Sequence, residues 1–296
     1  TADKASTAVK FTNNYEATGS ITLGATKALT GKTLTDGMFK FQLKDKDGVK
    51  LQEKSNAGTA VTFDALTYDQ TDAGKTYTYK VVEVDEAKDG YTYDDEVYTV
   101  EVKVSDKGDG TLDVTKTIKN KAGDTVTAMS FANSYAASGS ITLGATKALT
   151  GKTLTAGQFT FDLYEGQSAT GTAKESKTNA ADGKVTFTTL TYDIDDVANS
   201  PFYYTVKEQI PAGATDNKDG TYTKDGYTYD GHSETIKVEV SDNGDGTLTV
   251  TADKASTAVK FTNNYEATGS ITLGATKALT GKTLTDGMFK FQLKDK

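Results

Sequence analysis

The chain has 296 residues, with 33 Lys and Arg against 41 Asp and Glu, a net charge of -8 and no cysteine. A chain of this length accommodates about two domains, each with its own core. The acidic balance and the lack of a basic patch argue against nucleic acid as a partner, and the absence of cysteine excludes disulfides and thiolate sites. No apolar run approaches the roughly 20 residues of a membrane-spanning helix, so we predict no membrane insertion.

Internal repeats dominate the sequence. Residues 1–46 are identical to residues 251–296. The stretch SITLGATKALTGKTLT occurs three times, at residues 20–35, 140–155 and 270–285. Self-similarity of this kind is typical of an array of related structural units. The chain is therefore predicted to hold two complete but diverged domains between two partial repeats.

The predicted boundaries follow from these repeats. The two complete domains are expected at residues 17–136 and 137–266. Residues 1–16 are expected to form the last strand of a preceding repeat, and residues 267–296 the first strands of a following one.

Each complete unit reads as all-β. Apolar and polar residues alternate with a period of two, and the stretches between are rich in Gly, Asp, Asn and Lys. In the first unit the alternation is clearest in MFKFQL (38–43), VTFDAL (61–66), TYTYKVVEV (76–84), EVYTVEVKVS (96–105) and TLDVT (111–115). Short strands at this spacing favour immunoglobulin-like β-sandwich domains, arranged in tandem as an elongated rod. Alternation alone does not separate a sandwich from a barrel.

Three polar residues of the first unit fall on otherwise apolar strand faces. Successive side chains of a strand point to opposite faces, which directs one residue of each of ITLGATKAL, TYTYKVVE and MSFANSY towards the core. These residues are Lys27, Glu83 and Asn133. The second unit repeats all three placements, at Lys147, Glu208 and Asn263.

Two interpretations fit a buried lysine, carboxyl and amide. Such groups cost several kcal/mol each unless they satisfy one another, so they can form a buried ion pair completed by the asparagine, or lie at strand ends that reach water. Alternatively, burial makes the lysine neutral and the glutamic acid protonated. The neutral amine could then attack the asparagine amide, expel ammonia and leave an isopeptide crosslink.

The motifs TKALTGKTL, GMFKFQL, YTYKVVEV and FANSY, in this order, resemble the isopeptide-linked immunoglobulin-like domains of Gram-positive pilins and adhesins, the streptococcal pilin type, also called CnaB-like. The resemblance covers both complete units. It implies crosslinks formed by a catalytic glutamate in each unit: Lys27 to Asn133 through Glu83, and Lys147 to Asn263 through Glu208. Asn13 and Lys277 match the same motifs, but their partners fall outside the chain, so both are predicted to be unlinked.

The resemblance further implies a structural stalk of an adhesin or fimbria-like fibre, extracellular and anchored to the bacterial cell wall. Its partners would be neighbouring repeats, with any host or cell-surface ligand met by a tip domain outside this chain. No cofactor is expected, and no enzyme activity beyond the single self-modification. A ligand-binding adhesin module and a sortase-polymerised pilin subunit are the alternatives, and the intact repetition favours the stalk.

Other candidate sites are weaker. SDKGDGTLDV (105–114) and SDNGDGTLTV (241–250) lack the ligand spacing of an EF-hand, so a hairpin turn is favoured over a calcium loop. His232 has no second histidine or cysteine for a zinc site and is expected at the surface, so we predict no metal site. Five tyrosines are expected to pack in the core or on a sheet rather than bind carbohydrate: Tyr91, Tyr93, Tyr98, Tyr227 and Tyr229.

Overall fold

A computed structural model describes residues 11–295, which fold into two all-β domains. The first contains twelve strands and one 3-10 turn, Gln70–Asp72. Its strands are β1 (Gly19–Ile21), β2 (Gly24–Thr30), β3 (Lys40–Asp45), β4 (Lys50–Ser55), β5 (Ala60–Thr62), β6 (Leu66–Tyr68), β7 (Thr76–Glu83), β8 (Tyr91–Thr92), β9 (Val97–Asp106), β10 (Leu112–Lys119), β11 (Thr125–Val126) and β12 (Met129–Tyr135).

The second domain repeats this plan with one 3-10 helix, Ile194–Asn199. Its strands are β13 (Ser138–Ile141), β14 (Gly144–Thr150), β15 (Thr160–Glu165), β16 (Glu175–Thr178), β17 (Lys184–Thr186), β18 (Leu190–Asp193), β19 (Phe202–Glu208), β20 (Thr215–Asp216), β21 (Thr221–Lys224), β22 (Tyr227–Asp230), β23 (Ser233–Asp242), β24 (Leu248–Ala252) and β25 (Lys260–Tyr265).

Each domain is a sandwich of two main sheets. In the first domain a six-stranded sheet, β11-β10-β9-β7-β3-β4, faces a four-stranded sheet, β5-β2-β12-β8. In the second domain the sheets are β16-β15-β19-β23-β24 and β17-β14-β25-β22-β21-β20. A two-stranded pair completes each domain, β1-β6 and β13-β18. The predicted sandwich is therefore confirmed, and the barrel alternative is wrong.

The core of each sandwich lies between the two main sheets. In β9 the alternate residues Tyr98, Val100, Val102 and Val104 are buried, as period-two alternation requires. Rings from both sheets meet there: Phe41 of β3 lies 5.2 Å from Phe131 of β12, centroid to centroid. This apolar layer is where the inward polar residues have to fit.

The predicted single strand at 61–66 is wrong in one respect. The segment divides into β5, which pairs with β2, and β6, which pairs with β1. The motif at 20–30, which pairs with this segment, is divided at the matching position into β1 and β2. Leu23 and Phe63 remain buried at the two breaks, so the alternation of apolar residues continues across them and conceals the change of sheet.

The partial repeats differ from the complete ones. The predicted segment 1–16 lies outside the described residues up to residue 10, and residues 11–16 contain no strand. Residues 267–295, expected as opening strands, also contain none. A strand requires a pairing partner for its backbone groups, and no described residue pairs with these segments. Within residues 11–295 there is no helix of the length and apolarity that spanning a membrane would require.

Candidate functional site: a buried lysine, glutamate and asparagine in each domain

Lys27 and Asn133 lie side by side on the first long strand and the last strand of the first domain. β2 and β12 pair in parallel, with Lys27 opposite Phe131 and Asn133 opposite Leu29. The two polar residues are therefore two positions apart in register and share the face that points into the sandwich. Only 1% of Lys27 and 3% of Asn133 are exposed, which confirms the predicted inward orientation.

Glu83 reaches this pair from the opposite sheet. It is the last residue of β7, opposite Phe41 of β3, and its side chain is fully buried. Its Oε2 accepts a hydrogen bond from Lys27 Nζ at 2.8 Å, and its Oε1 accepts one from Asn133 Nδ2 at 2.8 Å. A single carboxyl group thus holds the amine and the amide together.

The second domain contains the same arrangement. Lys147 on β14 and Asn263 on β25 are two positions apart on parallel strands, and Glu208 ends β19 on the facing sheet. Glu208 Oε2 accepts from Lys147 Nζ at 2.6 Å, and Oε1 accepts from Asn263 Nδ2 at 2.6 Å. The two sites have the same geometry although the sequences of their domains have diverged. This indicates that the fold positions all three groups.

The surroundings of the amine are apolar and aromatic. Lys27 Nζ lies 4.5 Å from the ring centroid of Phe39 and 6.0 Å from that of Phe41. Burial lowers the pKa of Lys27 even though Glu83 opposes this, and burial raises the pKa of Glu83 against the effect of Lys27. The pKa values of Lys147 and Glu208 shift in the same directions for the same reason. Burial therefore shifts both sites in the direction of a neutral amine beside a protonated carboxyl.

A backbone N–H fixes the orientation of each amide. The N–H of Asp94 donates to Asn133 Oδ1 at 2.8 Å, and the N–H of Asp230 donates to Asn263 Oδ1 at 2.8 Å. The Asp94 carboxylate in turn accepts from the N–H of Ala132 at 2.7 Å and so ties its loop to β12. Because Oδ1 accepts from this N–H, Nδ2 must face the glutamate.

Sequence reasoning missed these two aspartates. The signal was available, since both domains carry the motif YTYD, at residues 91–94 and 227–230. Alternation identifies side chains that point inward, but these aspartates act through a backbone N–H and a carboxylate at a strand edge. Assigning strand faces from alternation therefore does not detect their role.

The unpaired equivalents lie outside any such site. Asn13 is exposed and lies outside the strands. Lys277 is also exposed, with its Nζ 4.7 Å from the ring centroid of Phe289. Neither takes part in a Lys-Glu-Asn group within the described residues.

The weaker candidates are also placed. Each acidic stretch forms the predicted hairpin turn, between β9 and β10 and between β23 and β24. His232 is only partly exposed and stacks on Phe261 at 4.5 Å, so its expected surface position is only partly correct. The five tyrosines are buried or pack against the cores, as predicted. Residues 11–295 bring together no group of three or more His, Asp or Glu side chains that could hold a metal.

Comparison with known proteins assigns the class. The model of the family described as FctA, Spy0128-like isopeptide containing domain, matches residues 23–136 and 143–266. These matches cover most of the chain, so the chain belongs to this family, and the resemblance found from the motifs is confirmed. No curated protein matches the chain at the level of sequence.

Solved structures of pilins are similar in part. The major pilin of Streptococcus pyogenes is 18% identical over 86% of this chain and 99% of its own, with a TM-score of 0.32. A mutant of that pilin is 20% identical over 82% and 97%, with a TM-score of 0.33. BcpA, the major pilin subunit of Bacillus cereus, is 12% identical over 84% and 100%, with a TM-score of 0.23.

Proposed function

We propose that this chain is a segment of a bacterial surface fibre, most simply an adhesin stalk, whose domains crosslink themselves. Lys27 bonds to Asn133 in the first domain, and Lys147 to Asn263 in the second. The observation that carries the proposal is the bridging carboxyl of each site, which holds the lysine amine with one oxygen and the asparagine amide with the other.

The chemistry follows from that geometry. Glu83 takes the proton that burial removes from the Lys27 ammonium, and the neutral Nζ attacks Asn133 Cγ. Negative charge that develops on Oδ1 meets the N–H of Asp94, as in an oxyanion hole. Glu83 then carries a proton from Nζ to Nδ2, the Cγ–Nδ2 bond breaks, and ammonia leaves. The products are one amide bond and one ammonia, and Glu83 keeps the proton that it took from the Lys27 ammonium. Glu208 would act in the same way.

The mechanical role follows from the position of the bond. Lys27 and Asn133 lie on the first long strand and the last strand of the domain, 106 residues apart (133 minus 27). A covalent bond there carries tension directly from β2 to β12, so the residues between them bear none of it. The chain has no cysteine, so this bond replaces the disulfide as the means of closing a long loop.

The repetition supports a stalk over a ligand-binding module. Residues 1–46 and 251–296 are identical, loops included, whereas recognition of different ligands would favour divergent loops. A fibre at the outer surface of a cell wall is the setting in which a bond that reductants cannot cleave is useful. A pilin subunit polymerised by a sortase is the second candidate, and the family membership of both domains is compatible with it.

The test is the intact mass of the purified chain and of three variants: Glu83→Ala, Glu208→Ala and the double variant. We expect the parent to lack two ammonia molecules, each single variant to lack one, and the double variant to have its full mass. Glu86→Ala, at a partly exposed glutamate three residues after Glu83, is the control and should match the parent. A parent of full mass would leave only a buried ion pair and would overturn the crosslink.

A further inference from the structure

The acidic hairpins have a structural role that the crosslink does not explain. We define them as residues 105–111 and 241–247, both with the sequence S-D-x-G-D-G-T. The second hairpin contacts the end of the first domain. Tyr135, the last residue of β12, donates from its Oη to Asp242 Oδ1 at 2.6 Å, and its Oη accepts from the N–H of Gly246 at 3.2 Å.

Two further contacts close this junction. Lys32 Nζ donates to Asp242 Oδ2 at 2.9 Å and lies 4.5 Å from the Tyr135 ring centroid. Gly90 and Gly246 meet backbone to backbone, since a Cβ on Gly246 would lie 2.8 Å from Gly90 Cα. Tyr135 is 3% exposed as a result. Within the second domain, the N–H of Ser138 donates to the carbonyl of Gly246 at 3.2 Å.

The first hairpin binds the equivalent tyrosine of the N-terminal partial repeat, Tyr15. Tyr15 Oη donates to Asp106 Oδ1 at 2.9 Å and accepts from the N–H of Gly110 at 3.1 Å. The N–H of Thr18, three residues after this tyrosine, donates to the Gly110 carbonyl at 3.4 Å, as Ser138 does to Gly246. One recognition pattern therefore occurs twice in one chain.

The far end of the second domain has the complementary surface already formed. The end face of the first domain consists of Lys32, Gly90, Tyr91 and Tyr135, and that of the second consists of Lys152, Gly226, Tyr227 and Tyr265. Tyr91 and Tyr135 are 4.7 Å apart with an interplanar angle of 49°, and Tyr227 and Tyr265 are 4.6 Å apart at 52°.

The cation and the backbone of the two end faces also correspond. Lys152 Nζ lies 4.7 Å from the Tyr265 ring centroid, matching Lys32 over Tyr135. The N–H of Glu266 donates to the Gly226 carbonyl at 2.9 Å, as Ala136 does to Gly90 at 2.9 Å. The two end faces differ in the hydrogen-bond partner of the lysine. Lys152 Nζ donates to Tyr227 Oη at 3.0 Å, whereas Lys32 Nζ donates to Asp242 of the hairpin.

We propose that the acidic hairpin is a docking element, bound by the tyrosine that ends the preceding domain. By the same contacts, the end face of the second domain binds the hairpin of a third copy of the domain. The charges match, since the exposed Lys152 would meet the aspartate of the hairpin. The surface is complete without its occupant, which favours a joint of fixed geometry. None of these residues belongs to the Lys-Glu-Asn sites, so the joint is independent of the crosslinks.

The joint inside the chain is tested first, by double electron–electron resonance. The chain lacks cysteine, so Asp47→Cys and Gln167→Cys, both exposed, place one spin label in each domain. We expect a narrow distance distribution that broadens about twofold or more in Asp242→Ala, because domains joined by small interfaces otherwise move freely. Asp106→Ala removes the equivalent side chain away from this junction and should leave the width unchanged. A broad distribution in the parent, or no effect of Asp242→Ala, overturns the docking role.

The free end face is tested in a chain lengthened at its C-terminus by a second copy of residues 47–136. Because residues 251–296 repeat residues 1–46, this completes a third domain. Labels at Gln167→Cys and at the appended copy of Asp47 should give a distribution as narrow as that of the first junction. Lys152→Glu should broaden this distribution, and Lys184→Glu should leave it narrow. When the appended copy of Asp106 is replaced by lysine in the Lys152→Glu chain, the opposite charges are re-formed and the distribution should become narrow again. A broad distribution in the lengthened chain, or one that Lys152→Glu leaves narrow, overturns the assignment.

Discussion

Lys27 and Asn133 lie on neighbouring parallel strands, two positions apart in register, although 106 residues separate them in the chain (133 minus 27). Parallel pairing of the first long strand with the last brings both side chains to the same face at the same level. Glu83 then needs only to reach across the core to contact both. The strand topology therefore supplies the proximity that the proposed reaction requires.

Loss of the crosslink should destabilise one domain only. Asn133→Ala removes the bond across about 100 residues, which by loop entropy lowers the free energy of unfolding by about 4 to 5 kcal/mol. Chemical denaturation should show the first domain unfolding earlier while the second keeps its midpoint. Asn264→Ala, which removes the neighbouring asparagine of β25, is the control in the second domain. Unchanged unfolding of Asn133→Ala would show that no bond stabilises the folded domain.

Extension under force should reveal the same bond. In the parent, residues between Lys27 and Asn133 cannot lengthen when the chain is pulled from its ends. In Glu83→Ala they can, which adds roughly 350 Å of contour length at about 3.3 to 3.6 Å per residue. Single-molecule force spectroscopy of both chains measures the difference. Equal extension of parent and variant would contradict a crosslink between β2 and β12.

Asp94 is expected to position the amide. Asp94→Ala removes the carboxylate that binds the N–H of Ala132, so the Asp94 N–H is no longer held against Asn133 Oδ1. Small misplacements can slow a positioned reaction by up to about 100-fold, so this variant should purify with part of its first domain unlinked and lose ammonia over time. Intact mass at successive times gives the rate. Asp95→Ala, at an exposed neighbour, should be fully linked, and equal rates would exclude the positioning role.

A single methyl group should open the junction between domains. Gly246→Ala places a Cβ 2.8 Å from Gly90 Cα, closer than the two backbones can tolerate. Gly244→Ala is the matched control, because Gly244 lies in the same hairpin with the same positive φ of 81° but a Cβ there would meet only Lys32 Nζ, at 3.6 Å. The distance distribution between labels at 47 and 167 should broaden in Gly246→Ala and stay narrow in Gly244→Ala. If both broaden alike, backbone strain in the hairpin rather than the close approach is responsible.

The junction should weaken in acid. Burial opposes ionisation of Asp242, but hydrogen bonds from Tyr135, Lys32 and the N–H of Gly244 outweigh it and lower its pKa below the usual 3.8. Tyr91 and Asp245 are the other titratable groups near this cluster. A carboxyl with a lowered pKa stabilises the contact above its ordinary pKa, and the contribution is lost as the pH falls through the lowered value.

The same labels measure this effect. The distribution should be narrow at neutral pH and broad well below pH 3.8. In Asp242→Asn it should be broad at both, because the charge is absent throughout. An acid-induced broadening of the same size in Asp242→Asn would assign the effect to other carboxyl groups.

The sequence by itself determined the all-β class, the tandem repeats and the three inward residues of each domain. These properties are local, since alternation within one strand decides which way Lys27 or Asn133 points. The division of 61–66 between two sheets was not visible, because Phe63 stays buried across the break.

Only the tertiary structure decided which distant groups meet. That Glu83 places one oxygen on the lysine and the other on the asparagine depends on the facing of two sheets. The alternation of side chains carries no information on which group the backbone N–H of Asp94 contacts. The contact of Tyr135 with Asp242 joins residues 107 apart in different domains. Sequence periodicity fixes the direction of a side chain, whereas the partner it meets is set by how sheets and domains pack.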